Sequence, residues 1–205
     1  MAKIDLKREM KDLYSAPKGE CTLIEVPELQ YLMIDGKGNP NEALSFQEAV
    51  AALYGLAFTI KMSLKRREPR RDWVVPPLQG LWWSDDMEAF VLDAKDDWYW
   101  TLMVLQPDFV TQSDVEEFRE VLCGKKNPPR LDEVRFETYE EGLVAQTLHV
   151  GPYSEEAPTV RMLHAFIDGQ GLEKTGCHHE IYLGDPRRTA PDRLKTILRQ
   201  PVSRP

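Results

Sequence analysis

The second half of this 205-residue chain retells the first in compressed form. Leu81-Trp82-Trp83-Ser84-Asp85 is echoed by Ile181-Tyr182-Leu183-Gly184-Asp185, and the run from Thr101 to Pro107 by the run from Lys195 to Pro201. Upstream, a strand-like stretch from Tyr31 to Gly38 matches one from Val144 to Gly151, and each leads into a helix-like segment. Two copies of one unit pack about a pseudo-two-fold axis, and the groove between them is a natural pocket. The copies differ at one position of chemical weight: where the first has Gly80, the second has Glu180, close to aromatic residues.

Composition removes several function classes. With 42% hydrophobic residues the chain can bury a proper core,. A net charge of −8 argues against a nucleic-acid partner, because phosphate affinity needs a basic surface,. Arg66, Arg67, Arg70 and Arg71, with Lys61 and Lys65 before them, lack an interleaved aromatic stacking surface and read as a solvated helix end,. Cys21, Cys123 and Cys177 are odd in number and widely spaced, which fits a reducing cytoplasm rather than a disulfide framework,. Met1 to Tyr14 alternates charged and apolar residues and has no apolar signal core, and no run is long enough to span a bilayer,. The expectation is a cytoplasmic protein without a membrane partner.

The hydrophobic pattern predicts an α+β fold of two pseudo-symmetric β-α-β-β modules with a central ligand cleft. The modules are approximate repeats over 20–110 and 131–201, joined by a helix and linker at 111–130, within a single domain 1–205. Cys21 to Asp35 is β-rich and broken at Pro27, which suits an edge,. Phe46, Val50, Leu53, Tyr54 and Ala57 recur at helical spacing,. Strands are expected at Pro77–Ser84 and Trp98–Gln106, joined by an acidic connection from Asp85 to Asp97 that reads as a hairpin. A helix starts at Ser113 and ends at Gly124. The second copy reads as one strand from Glu133 to Val150, a helix from Pro158 to Ile167, and strands Cys177–Leu183 and Leu194–Arg199.

Candidate chemistry is sparse. Cys177-His178-His179-Glu180 holds four possible metal ligands in a row, but a strand sends alternate side chains to opposite faces and no second cluster completes a site,. Neither a metal nor a cofactor is expected. Ser45, Ser84 and Ser154 lack a nucleophile-elbow context, and Gly36-x-Gly38 reads as a tight turn,. The aromatics are harder to dismiss. Alternation puts Trp98 and Trp100 on one sheet face and Tyr99 on the other, with Trp82 and Trp83 divided likewise,. If helices cover one face only, the other carries an aromatic surface, and a ligand-stacking wall accounts for it. His178, Glu180 and Tyr182 share a face, and the repeat sets Tyr182 opposite Trp82.

Four stretches carry a family resemblance: His179-Glu180-Ile181-Tyr182-Leu183, the turn from His149 to Glu155, the run from Pro77 to Trp83, and the run from Trp98 to Pro107. In this order they resemble the GyrI-like small-molecule-binding family from about Cys21 to Pro201. The resemblance implies tandem SHS2 modules around a cleft, with the family's central glutamate at Glu180 and its aromatic wall at Trp82, Trp98, Trp100 and Tyr182. It also implies similarity to ligand domains that sense multidrug cations and to stand-alone cyclopropanoid hydrolases. The longer stretch from Lys61 to Val75 departs from the second copy.

Two function classes follow. In the first, Glu180 lies in a low-dielectric aromatic site that raises its pKa, and it deprotonates a water that attacks a strained cyclopropane. Planar hydrophobic substrates stack on Trp82, Trp98 and Trp100, His178 lies beside the carboxylate, and Tyr182 or Tyr153 donates to the developing oxyanion. In the second, the same groups bind or sequester lipophilic cations without reaction. A third reading, a protein-binding groove, names no partner.

Overall fold

The computed structural model describes residues 3–85 and 95–205. The expected hairpin within Asp85 to Asp97 falls largely outside them. The strands are β1 (Thr22–Val26), β2 (Leu29–Lys37), β3 (Gln79–Trp83), β4 (Tyr99–Leu105), β5 (Arg135–Tyr139), β6 (Gly142–Val150), β7 (Glu173–Lys174), β8 (His178–Tyr182) and β9 (Lys195–Ser203). The helices are α1 (Leu6–Glu9), α2 (Leu44–Arg67), α3 (Gln112–Cys123) and α4 (Ala157–Gly169). Among the described residues no helix is long and apolar enough to cross a membrane.

The strands form one curled antiparallel sheet in the order β1-β6-β9-β8-β3-β4-β2-β5, with β7 beside β9. This order is two-fold symmetric about the β3–β8 seam. Read outward from the seam, β3-β4-β2-β5 mirrors β8-β9-β6-β1. The register obeys the same symmetry. Tyr31 pairs with Leu105 as Val144 pairs with Pro201, and Gly80 pairs with Leu102 as Glu180 pairs with Leu198. Gly80 and Glu180 also pair with each other, so the pseudo-axis runs through that pair. Two details correct the sequence reading. Leu105, not Pro107, is equivalent to Pro201, so the echo between β4 and β9 is displaced by one strand period and keeps its faces,. The expected strand from Glu133 to Val150 is two strands, broken before Gly142, whose φ of 69° is a left-handed turn conformation,.

That break has a topological consequence. β5 leaves its own unit to pair with β2, while β1 crosses to pair with β6. Each unit therefore completes its sheet with a strand from the other half. Both exchanged strands are edges, in keeping with Pro27 immediately after β1,.

Helices cover one face. α2 buries Ala49, Ala52, Leu53, Leu56, Ala57, Ile60 and Leu64 at helical spacing against Leu32, Ile34, Leu102 and Val104. Fully burying a leucine or isoleucine contributes ~1.5–3 kcal/mol, so this stripe fixes α2 on the sheet. α3 begins at a capping box in which Thr111 and Asp114 bond reciprocally, two residues earlier than the sequence start at Ser113, and it packs on α2,. α4 covers Ala145, Leu198 and Val202 with Leu163 and Ile167. α2 runs for 24 residues against 13 in α4, and the departure at Lys61 to Val75 is its last turns plus a return segment anchored by buried Trp73.

The opposite face is covered as well, and is not left as a bare aromatic surface. The N-terminal segment lies on it, with Leu6, Leu13 and Tyr14 packed against Tyr31, Met33, Leu81, Met103, Leu105, Ile181 and Ile197. A buried polar network anchors the segment. Arg199 donates to Leu13 O at 2.8 Å, to Gln146 Oε1 at 3.0 Å and to Glu141 Oε2 at 3.1 Å. His179 Nδ1 lies 2.8 Å from Glu141 Oε1 and Nε2 3.0 Å from Gln79 Oε1, while Gln79 donates to the Tyr14 hydroxyl. Burial pushes His179 toward neutral imidazole. Burial also works against ionising Glu141, but its cationic neighbours hold its pKa below the ordinary 4.5. Of these, His179, bonded to the carboxyl, contributes most, and the Arg199 guanidinium adds to it,.

Breaking a buried pair by removing one partner costs ~3–5 kcal/mol, so Glu141→Gln is expected to lose stability of that order in urea unfolding at neutral pH. Because the folded pKa of Glu141 is depressed, its contribution is complete above the ordinary value and disappears as pH falls through the folded one,. The stability curves of wild type and Glu141→Gln should therefore converge in acid. Parallel curves would show that Glu141 is not the titrating group.

Candidate functional site

Pairing across β4, β3, β8 and β9 builds the site on the helix-covered face. Trp82 faces Trp100 on one side and His178 on the other. The next row is Leu102, Gly80, Glu180 and Leu198, and Tyr182 pairs with Thr196 in the row beyond. Antiparallel partners share a face, so Trp82, Trp100, His178, Glu180 and Tyr182 converge.

Gly80 is what permits the convergence. Trp82 and Tyr182 occupy equivalent places in the two units, and they meet across the axis, Trp82 Nε1 donating to Tyr182 Oη at 3.0 Å. The bond passes over Gly80, where a Cβ would lie 2.7 Å from Trp82 Nε1 and 3.3 Å from Tyr182 Oη. The Tyr182 hydroxyl also engages Glu180. As it accepts from Trp82, the bond to Glu180 is its donor bond. Burial first, and the Glu180 charge second, push the Tyr182 pKa well above 10, so it stays protonated. His178 Nε2 stands 3.5 Å from Glu180 Oε1, and Glu180 is 9% exposed.

Aromatic rings enclose this carboxylate. Trp98 meets Trp82 edge-on at 5.7 Å, and Tyr153 meets Tyr182 edge-on at 5.6 Å. Trp98, Tyr153 and Tyr182 keep part of their surface exposed, whereas Trp82 and His178 are buried. Trp100 is fully buried, held by Phe46 at 5.3 Å and by the Arg130 guanidinium at 5.6 Å from its ring. It backs the wall that Trp82 and Trp98 form. The tryptophans expected on an uncovered face thus sit on the helix face, and Trp83 stacks with Tyr99 on the other side.

A second carboxyl, passed over in the sequence, lies in the same place. Glu156 is the N-cap residue of α4, makes no capping bond and is 8% exposed. Its carboxyl meets that of Glu180 and lies near the Thr196 hydroxyl, although among the described residues neither Glu156 Oε1 nor Thr196 Oγ1 completes a hydrogen bond. Burial, then the charge of Glu180, raises the Glu156 pKa to about 10, with Thr196 and Lys95 opposing. The site thus holds a second carboxyl, that of Glu156, whose pKa burial and its neighbour raise. A sequence signal existed: the equivalent N-cap of α2 is Ala43, so Glu156, like Glu180, is an acidic departure of the second copy from the first.

The arrangement offers a carboxylate able to hold a water, a protonated carboxyl beside it, two tyrosine hydroxyls and flat apolar walls. Among the described residues no group of three or more His, Cys, Asp or Glu is arranged to hold a metal. A separate groove of about 510 Å³ runs along β1 and the N-terminal segment, past Asp12, Ala16, Leu23 and Gln146. It contains none of these groups, and Gln146 is already bonded to Asp12 O, Ser15 O and Arg199.

Comparison with known proteins gives a consistent picture. The model of the GyrI-like small molecule binding domain matches residues 19–203. An uncharacterized conserved protein of Listeria innocua is 47% identical, with a TM-score of 0.91 over 98% of this chain and 100% of its own. A protein of the same organism described as a hydrolase is 43% identical, with a TM-score of 0.85 over 98% and 100%. The EcmrR C-terminal domain is 12% identical with a TM-score of 0.54 over 91% and 98%, a likeness of fold alone. No curated protein matches the chain.

Gly80→Ala is expected to drive Trp82 and Tyr182 apart. Overpacking of this kind costs ~1–3 kcal/mol, to be read from the melting temperature together with a shift in tryptophan emission. An unchanged melting curve and spectrum would mean that the Trp82–Tyr182 bond is not held over Gly80.

Proposed function

This chain belongs to the GyrI-like small-molecule-binding family, and from that premise we propose that it hydrolyses planar, cyclopropane-bearing alkylating compounds with a water activated by Glu180. The observation that carries this reading is a buried carboxylate fixed by Tyr182 and His178 beneath aromatic rings. Its 43% identity to a Listeria protein described as a hydrolase supports an enzyme over a passive binder. A cytoplasmic setting accords with three free cysteines,.

In this proposal the substrate lies against Trp98, the partly exposed ring that buried Trp82 supports, and Glu180 takes a proton from the attacking water,. Ring strain supplies much of the driving force, so one positioned base suffices. The opening ring places charge on a conjugated oxygen, which needs a donor. The Tyr182 hydroxyl is committed to Glu180, which leaves Tyr153. Burial, then the charges of Glu156, Glu180 and Asp185, raises the Tyr153 pKa to about 12, and it remains a donor at neutral pH. The rival reading, sequestration of lipophilic cations, asks for unopposed negative charge. One proton is held on Glu156, and the Lys95 ammonium opposes the charge of the pair from further off, which argues against it.

The test is incubation with a duocarmycin-type cyclopropane compound and mass spectrometry for the gain of one water. Wild-type protein should form the product. Glu180→Gln should bind the neutral compound with wild-type affinity and lose turnover by roughly 10²–10⁴-fold, the usual cost of losing general-base help. Product formation by Glu180→Gln at the wild-type rate refutes the mechanism. Absence of turnover, with selective loss of cation affinity in the variant, supports sequestration instead.

A further inference from the structure

The geometry points to Glu156 as the acid partner of Glu180, the two forming one pair that gives up and recovers a proton in each turnover. This inference rests on the hydrolytic reading of the same site and adds a second reacting group to it.

Three observations carry it. First, Glu156 stands where the short turn Tyr153–Glu155 runs into α4, its backbone is already helical (φ −73°, ψ −25°), and its side chain makes no capping bond, which leaves the carboxyl available to the cleft. Its carboxyl reaches under the helix to Glu180. Second, among the described residues Oε1 of this buried carboxyl has no hydrogen-bond partner. A buried orphan of this kind is costly unless a ligand completes it. Third, the first unit carries Ala43 at the same place, so the helix start itself does not require the glutamate.

The surroundings decide which carboxyl keeps the proton. β8 contributes Glu180, His178 and Tyr182, and β9 contributes Thr196. The turn before α4 contributes Tyr153, and the segment before β4 contributes Lys95. Two buried carboxyls in contact do not both ionise, and neighbours that push the pair apart assign one as acid and the other as base. Glu180 has a tyrosine donor and an imidazole beside it, whereas, among the described residues, the groups that favour an ionised Glu156 are Thr196 and, from further off, Lys95. The proton therefore resides on Glu156.

The step balances. A water oxygen bonds to the electrophilic ring carbon as the adjacent ring carbon–carbon bond breaks, and its electron pair moves through the conjugated system to the terminal oxygen. Glu180 takes a proton from the water, and Glu156 gives its own to that oxygen, with Tyr153 bonding the same atom. Glu180 is then protonated and Glu156 ionised. Direct transfer between the touching carboxyls restores the starting state, with one water consumed.

The test joins a spectroscopic readout to a kinetic one. In infrared spectra of protein labelled with carboxyl-¹³C glutamate, wild type at neutral pH should show the carbonyl stretch of a protonated acid, and Glu156→Gln should lack it. Wild-type product formation from a duocarmycin-type compound should fall on the alkaline side. In Glu156→Gln that limb should vanish and the rate should drop by roughly 10²–10⁴-fold. Glu156→Ala reproduces the residue of the first unit, keeps the fold and should match the glutamine variant. A band absent from wild type, or retained in both variants, overturns the pair. Loss of the band with an undiminished rate overturns the proton-donor role. Wild-type protein that forms no product refutes hydrolysis and the transfer step with it, whereas the band still reports whether the two carboxyls share a proton.

Discussion

The antiparallel pair of Gly80 and Glu180 is the contact on which the rest of this architecture turns. A two-fold axis through such a pair maps each residue onto the other, so perfect symmetry would place two identical side chains against one another. Two glutamates there would be like charges directly opposite, which destabilises a sheet. Two glycines would leave the centre without chemistry. One of each gives room for Trp82 to reach Tyr182 over the glycine, and it leaves a single carboxylate beneath that bond. The exchange of β1 and β5 then locks the seam. Because each unit completes its sheet with a strand from the other, the halves cannot separate or rock without breaking edge pairing.

The strand that carries Glu180 is gripped from behind as well. β8 sends His178, Glu180 and Tyr182 toward the helices and His179 and Ile181 toward the N-terminal segment. His179 is held at both ring nitrogens, by Glu141 and Gln79, and Glu141 is held in turn by Arg199. Buried ion pairs are weak evidence for stability, because desolvation offsets much of their attraction. Their value lies in direction: a register slip of one residue would strand His179 among apolar side chains and Glu180 under Tyr14. The network thus specifies which face of β8 meets the cleft.

Much of this was legible in the residues. Period-two alternation located the strands and the shared face of His178, Glu180 and Tyr182, and the 3.6-residue stripe located α2. The echoes at Tyr31 and Trp82 gave the true equivalences. What escaped the sequence has one physical character, namely choice of partner. Nothing local states that β5 pairs with β2 rather than β6, since the signal is only Gly142 in a left-handed turn. The N-terminal segment alternates charged and apolar residues as a surface tail does, and it becomes a core layer because Arg199, Gln146 and Gln79 wait beneath it. The tryptophans were therefore assigned to a bare face that does not exist. Glu156 lay outside the helix expected from Pro158, and an acidic residue near a helix start carries no signal of its own because the helix dipole already favours one there,.

The two units have diverged in complementary directions. Trp82, Trp98, Trp100 and Phe46 belong to the first, whereas Glu156, His178, Glu180, Tyr153 and Tyr182 belong to the second. Burying two carboxyls in contact destabilises whichever unit holds them. The second unit offsets this with Tyr182 and His178 at Glu180, and with a retained proton on Glu156. A symmetric cleft would bind a flat molecule equally well in two orientations related by the axis. An apolar wall on one side and ionisable groups on the other remove that degeneracy. On the reading proposed above, the electrophilic end of a planar substrate then faces the second unit, and its aromatic body rests against the first.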